Sequence, residues 1–196
     1  LFYGSTATSF AASFGLTTVV VAIMEHDRVT GQRNRLRNET AACKQTGFLP
    51  IHCAVANGKA AMFDFLIGAH DHLAPAPGEV RLPPGSLADP VQLSMHSTGD
   101  NAQTIWNRLT PLQLAARLGD KRMCSHILRK RLLMNWKWGP LTSLRIELNE
   151  IDSAGAEGND LMEIVSDFRA TEETQKMLLD TFMQGFLFTL VRQKWD

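Results

Sequence analysis

Three stretches of this chain align with one another without a gap, and that repetition constrains the fold more than any single residue does. They run from Gly4 to Gly15, from Gly47 to Gly58 and from Arg108 to Gly119. Thr6, Leu49 and Thr110 share one slot, followed by Ala7, Pro50 and Pro111. Thr110 is a good N-cap, and proline at the first helical position gives up an amide that has no helical acceptor anyway. Ala11, Ala54 and Ala115 place a small side chain where two helices approach. Gly15, Gly58 and Gly119 close each copy where a left-handed backbone would reverse the chain. A second helix is expected after each glycine. Four, five, eight and nine residues on, the copies read Val19, Val20, Ile23, Met24, then Met62, Phe63, Leu66, Ile67, then Met123, Cys124, Ile127, Leu128. All twelve are apolar at helical spacing, so each second helix carries one buried stripe.

A Thr-Pro-Leu-His start, a central Ala and a closing Gly form the ankyrin pattern, whose repeat is about 33 residues. Here the distance from Thr6 to Leu49 is 43 residues and from Leu49 to Thr110 it is 61. The extra residues are expected in two long finger loops, 29–46 and 73–107. The first carries Arg33, Arg35, Arg37 and Lys44 and is preceded by Arg28. Arg28, Arg33, Arg35 and Arg37 are a candidate patch for an anionic partner, beside the simpler reading of a solvated loop. The second finger holds Pro75, Pro77, Pro83, Pro84 and Pro90. His52 fills the His slot of the pattern as a hydrogen-bonding residue, Cys53 and Cys124 read as core fillers, and Cys43 in the finger is a candidate reactive thiol. His70-Asp71-His72 does not converge on one helical face and reads as a turn.

The last third departs from the repeat. Arg129-Lys130-Arg131 suits a helix C-terminus. Trp136-Lys137-Trp138-Gly139-Pro140 then leads into Leu144, Ile146 and Leu148, which alternate with Arg145, Glu147 and Asn149. This period of two predicts a half-buried strand within a β-hairpin spanning 134–152. Trp136 and Trp138 share a face of such a strand, as an anchor for a neighbouring surface or as packing against the third repeat. Over 153–196 the pattern predicts a helix carrying Leu161, Ile164 and Phe168, then a final helix from about Glu173 to Trp195.

Charge and composition exclude whole classes. Lys+Arg and Asp+Glu are 20 each, so no net charge argues for nucleic acid. Yet 121–145 holds seven basic residues and no acid, and 147–180 holds ten acids against Arg169 and Lys176, two opposed blocks able to face one another. At 44% hydrophobic residues the chain can fill a core. Three cysteines at wide spacing make neither a disulfide framework nor a zinc site, and suit a reducing compartment. No apolar run approaches the ~18–20 residues of a membrane helix. No nucleophile–base–orienter set, phosphate loop or metal-ligand spacing appears, so no catalytic, cofactor or metal residues are assigned and no enzyme activity is expected.

The order of parts resembles the cytoplasmic amino-terminal region of transient receptor potential channels of the vanilloid type. Phe2-Tyr3-Gly4 is similar to the opening of that family's fourth repeat, and Arg108 to Ala116 to its sixth. Trp136 to Pro140 through Asn149-Glu150-Ile151-Asp152 resembles its linker hairpin. Met177-Leu178-Leu179 and Gln193-Lys194-Trp195-Asp196 resemble the start and end of its pre-S1 segment. The resemblance implies a mainly α fold: an ankyrin solenoid of three repeats over 1–133, the hairpin linker, and a helix-turn-helix ending in a pre-membrane helix. It implies an assembly and regulatory region of a calcium-permeable, non-selective cation channel at the cytoplasmic face of a plasma or ciliary membrane. Neighbouring subunits of a tetramer would meet Trp136, Trp138, Gly139, Pro140, Leu144 and Ile146. Arg192, Lys194 and Trp195 would lie beside the membrane, and regulatory proteins or ligands would use the repeat surface. Leu49, Ala7 and Thr8 depart from the repeat consensus, and the family's nucleotide-contacting lysines lie on earlier repeats, so no cofactor is carried over. On this reading the chain is a piece of a longer protein. The rival is a soluble ankyrin adaptor, which accounts for the repeats and leaves the hairpin and terminal helices unexplained. A catalytic protein using the repeats as a targeting arm would need a further domain.

Overall fold

A computed structural model of the chain describes residues 5–31, 42, 43, 46–68, 109–146, 150, 151, 161, 164, 172, 176 and 192. These are mostly helical, with one two-stranded antiparallel sheet. The elements are α1 (Ala7–Phe14), α2 (Thr17–Val29), α3 (Pro50–Ala56), α4 (Ala60–Ile67), α5 (Pro111–Arg117), α6 (Lys121–Lys130), β1 (Leu133–Trp138) and β2 (Leu141–Arg145). Isolated residues beyond the sheet, Leu161, Ile164, Glu172, Lys176 and Arg192, are helical. The finger residues Arg33, Arg35, Arg37 and Lys44, the loop 73–107 with His72, and Lys194 and Trp195 lie outside the described residues, as does the Arg28 side chain.

The three copies close their first helices in the same way, bond for bond. Gly15, Gly58 and Gly119 take φ of 76°, 61° and 69°. Each donates its amide three residues back, to Ala12, Val55 and Ala116, and the next amide reaches Ala11, Ala54 and Ala115. This pair of bonds is the Schellman closure, which satisfies helix carbonyls that would otherwise lack donors. The chain then turns directly into the second helix, with Thr17, Ala60 and Lys121 donating back to the glycine carbonyl.

The starts differ where the sequence differs. Thr6 accepts from the Ser9 amide at 3.2 Å. Thr110 and Gln113 form a reciprocal capping box: the Gln113 amide reaches Thr110 Oγ1 at 3.3 Å, and the Thr110 amide reaches Gln113 Oε1 at 2.8 Å. Leu49 offers α3 no side-chain cap, and Pro50 beside it removes one of the amides that a cap would serve. Asp120 caps α6 through the Met123 amide at 2.9 Å.

The described residues belong to two compact units, Leu1–Leu114 and Ala115–Asp196. In the first, α1 packs on α2 and α3, and α3 on α4. Ala11 and Ala54 are buried, and so is Ala115 in the second unit, as the small-residue slot anticipates. Met62, Phe63, Leu66 and Ile67 are all buried with Leu49, Ile51 and Leu109. In the second, Met123, Cys124, Ile127 and Leu128 are buried, as are Ile151, Leu161 and Ile164. The expected stripe is incomplete in the first copy. Val20 is buried, Ile23 and Met24 are half-buried, and Val19 is 43% exposed. Val19 lines an open groove with Ala7, Thr18, Ala22, Ile23, His26 and Asp27.

Gly15→Ala tests the closure. An added Cβ would meet only Lys59 Cδ at 3.6 Å, an ordinary contact, so the cost is confined to the left-handed backbone. A loss of about 1 kcal/mol in a urea unfolding midpoint is expected, with Gly15→Asn losing less.

Candidate functional site

Large apolar side chains are exposed together at two places among the described residues: Phe10, Phe14, Leu16 and Val19 around α1 and the start of α2, and the hairpin, which carries two tryptophans. Its register pairs Leu133 with Arg145, Met134 with Leu144, Trp136 with Ser143, Lys137 with Thr142 and Trp138 with Leu141. Gly139, with φ of 56°, and Pro140 make the two-residue connection. A positive φ at the first position is what a type II′ hairpin turn requires of its glycine. The step from Met134–Leu144 to Trp136–Ser143 uses two residues on β1 and one on β2, so Asn135 is a bulge. Its side-chain amide reaches Ser143 Oγ at 3.4 Å.

The bulge decides which residues share a face. Trp136 and Trp138 lie together with Leu141 and Ser143. Met134 falls with Leu144, Lys137 and Thr142 on the opposite face. Trp136 is 54% and Trp138 79% exposed, and Leu141, Met134 and Leu144 are exposed as well. The tryptophans therefore share a face as the spacing predicts, and neither is buried among the described residues. The expected half-buried alternation is not what forms: Leu144 is exposed, Ile146 is half-buried just past β2, and Leu148 lies outside the described residues. Nothing in the sequence within the strand announces that residues on both faces of this ribbon are exposed among the described residues.

The base of the hairpin is ionic. Arg131, directly after α6, meets Glu150 at 2.7 Å. Sequence reasoning set a basic block against an acidic one without naming pairs, and this contact joins the two within the chain. Lys137, Arg145 and Arg122 are exposed on the basic segment, and the isolated Arg192 is exposed too.

The other singled-out residues are structural. His52 is fully buried, and its Nε2 lies 2.9 Å from the Leu109 carbonyl. A carbonyl only accepts, so Nε2 carries the proton and donates. The bond ties α3 to the residue before the Thr110 cap. Its ring stacks on Phe48 at 5.9 Å. Cys43, a candidate reactive thiol by its place in the finger, is buried: its amide bonds the Phe48 carbonyl and its carbonyl accepts from Gly47, a tight turn that folds it inward. Burial pushes the Cys53 thiol from 9.0 up to about 12, with a hydrogen bond from Ser9 opposing and Cys43 adding to the rise. Burial, aided by Asp120, pushes Cys124 up to about 12 as well. Among the described residues no group of three or more His, Cys, Asp or Glu gathers as metal ligands, and no helix is long and apolar enough to cross a membrane.

No family model matches the chain. Individual proteins do. Human transient receptor potential cation channel subfamily V member 5 is 35% identical over 109 residues, 53% of this chain and 14% of that protein. Human subfamily V member 6 is 36% identical over 108 residues, 53% of this chain and 13% of that protein. The rat member 5 aligns along 100% of this chain at 27% identity, covering 22% of its own length. The chain is a relative of the vanilloid-type transient receptor potential channels. It spans about one seventh of the length of the human relatives that it matches. These vanilloid relatives are cation channels by name, which agrees with the family seen in the Trp136–Pro140 and Gln193–Asp196 strings.

The buried thiols make a pH prediction. Between pH 9 and 12 the unfolded chain releases thiol protons that the fold retains on Cys53 and Cys124. The unfolded state then binds fewer protons, so stability is full below pH 9 and falls as pH rises through that window. Urea midpoints measured from pH 8 to pH 11 are expected to decline, and Cys124→Ala to remove part of the decline. At pH 8, iodoacetamide is expected to label the three cysteines only in the unfolded chain.

Proposed function

We propose that this chain is an assembly and regulatory segment of a vanilloid-like, calcium-permeable cation channel. In this reading the three helical pairs stack as an ankyrin solenoid over 1–133. The segment 134–152 is a linker hairpin, and 153–196 carries a helix-turn-helix and a pre-membrane helix. The segment sits at the cytoplasmic face of a membrane, has no enzymatic role, and couples the repeats to a pore elsewhere in the protein.

The observation that carries the reading is the exposed pair Trp136 and Trp138 on a hairpin of a chain related to subfamily V channels. A two-stranded ribbon in water is marginal by itself, and two tryptophans on one face are poor residues to leave hydrated. Contact with a neighbouring subunit removes both problems. Gly139 and Pro140 shape the tip, and Leu144 and Ile146 extend the surface along β2. In such a tetramer, ligands or regulatory proteins on the repeats would displace a stiff solenoid, and the hairpins would carry the displacement to the next subunit. Arg192, Lys194 and Trp195 would meet the membrane side, where basic residues are favoured on the cytoplasmic face.

The test is Trp136→Ala with Trp138→Ala in the full-length protein, followed by native mass measurement. Buried aromatic anchors at interfaces each contribute about 2 kcal/mol or more. The double substitution is therefore expected to shift the tetramer toward smaller species by well over tenfold in subunit concentration. An unchanged tetramer would remove the interface role. A protein that is monomeric before substitution would favour the adaptor reading.

A further inference from the structure

We infer that the Arg131–Glu150 ion pair is a latch that sets the direction in which the hairpin leaves its helical support. Arg131 closes α6, its amide bonding the Ile127 and Leu128 carbonyls. Two residues later β1 begins, and Glu150 lies five residues beyond the end of β2. The pair joins positions 19 apart in sequence and so clasps both ends of the hairpin base. The Arg131 and Glu150 side chains are 10% and 13% exposed, largely out of water.

Glu150 also reaches onward. Its carbonyl accepts the Leu161 amide at 2.9 Å, and Leu161, Ile164 and neighbouring Ile151 are buried. One residue thus binds the end of α6 through its side chain and a following helical turn through its backbone. Between these anchors the ribbon has little support of its own. Every residue of β1 and β2 except Leu133 and Ser143 is exposed, and the packing of β1 among the described elements is chiefly with β2. A ribbon held mainly at its base takes its direction from that base. Removing one partner leaves a largely desolvated charge uncompensated, which opens the clasp rather than merely weakening it.

The latch stands on the geometry of this chain alone. Its consequence, that Arg131 and Glu150 position Trp136 and Trp138 for a neighbouring subunit, rests on the proposed function. Hydrogen exchange on the full-length protein separates the two. In Arg131→Ala and Glu150→Gln, amides of 133–138 and 141–145 are expected to exchange about tenfold faster or more, the range of a lost charged hydrogen bond. Amides of α5 and α6 are expected to keep their rates. The exchanged pair Arg131→Glu with Glu150→Arg is expected to recover protection of the hairpin. Unchanged exchange in the single variants would overturn the latch. So would acceleration spread equally over α5 and α6, or an exchanged pair as loose as the singles. Native mass of the same variants reads the consequence separately: a loosened hairpin with an intact tetramer leaves the latch standing and removes the assembly reading.

Discussion

The left-handed glycine after each first helix is the constraint on which the rest depends. It places two helix carbonyls opposite donors and sends the chain straight back along the helix it has just finished. A β-branched or bulky residue at that position would open the turn and separate the two helices of a pair. Because the turn is so short, the second helix starts in a fixed rotational phase. That phase is why the apolar positions counted from the glycine fall on buried faces at Met62, Phe63, Leu66 and Ile67 and again at Met123, Cys124, Ile127 and Leu128.

Around that turn, the chain tolerates variation at the other end of each first helix. One copy uses a threonine with a serine, one a full capping box, and one no side-chain cap at all. Orphan amides at a helix start lie near water and have several ways to be satisfied, whereas the reversal at the helix end has a single backbone solution. His52 adds a long-range tie, since its donated bond to Leu109 connects residues 57 apart. Local turns thus shape each pair, and the His52 bond ties α3 to Leu109 across a long stretch of sequence.

Much of this was legible in the sequence because local physics decides it. The glycine slots, the Thr110 cap, the Pro50 and Pro111 starts and the Trp–Gly–Pro hairpin turn all depend on neighbours within a few residues. What was hidden depends on distant or missing neighbours. Val19 has the right period and is still exposed, because burial needs an element to pack against it. Cys43 reads as a loop thiol and is buried by a turn whose hydrogen bonds no composition rule displays. The Arg131–Glu150 pair was visible only as a contrast between two charge blocks, since either charge had many possible partners. Asn135 gives no signal at all: one extra residue on one strand changes the face of Met134 while leaving the apolar alternation intact.

That extra residue has a geometric consequence for anything that covers the ribbon. Without it, Met134 would join Trp136 and Trp138 on one side, leaving Leu144 and the polar positions on the other. With it, each side keeps apolar area of its own: two tryptophans and a leucine on one, a methionine and a leucine on the other. A flat surface laid against such a ribbon dries one side and leaves the other wet. Only a cleft with two walls removes both from water, and a blade seated in a cleft resists tilting in a way that a plate on a plate does not.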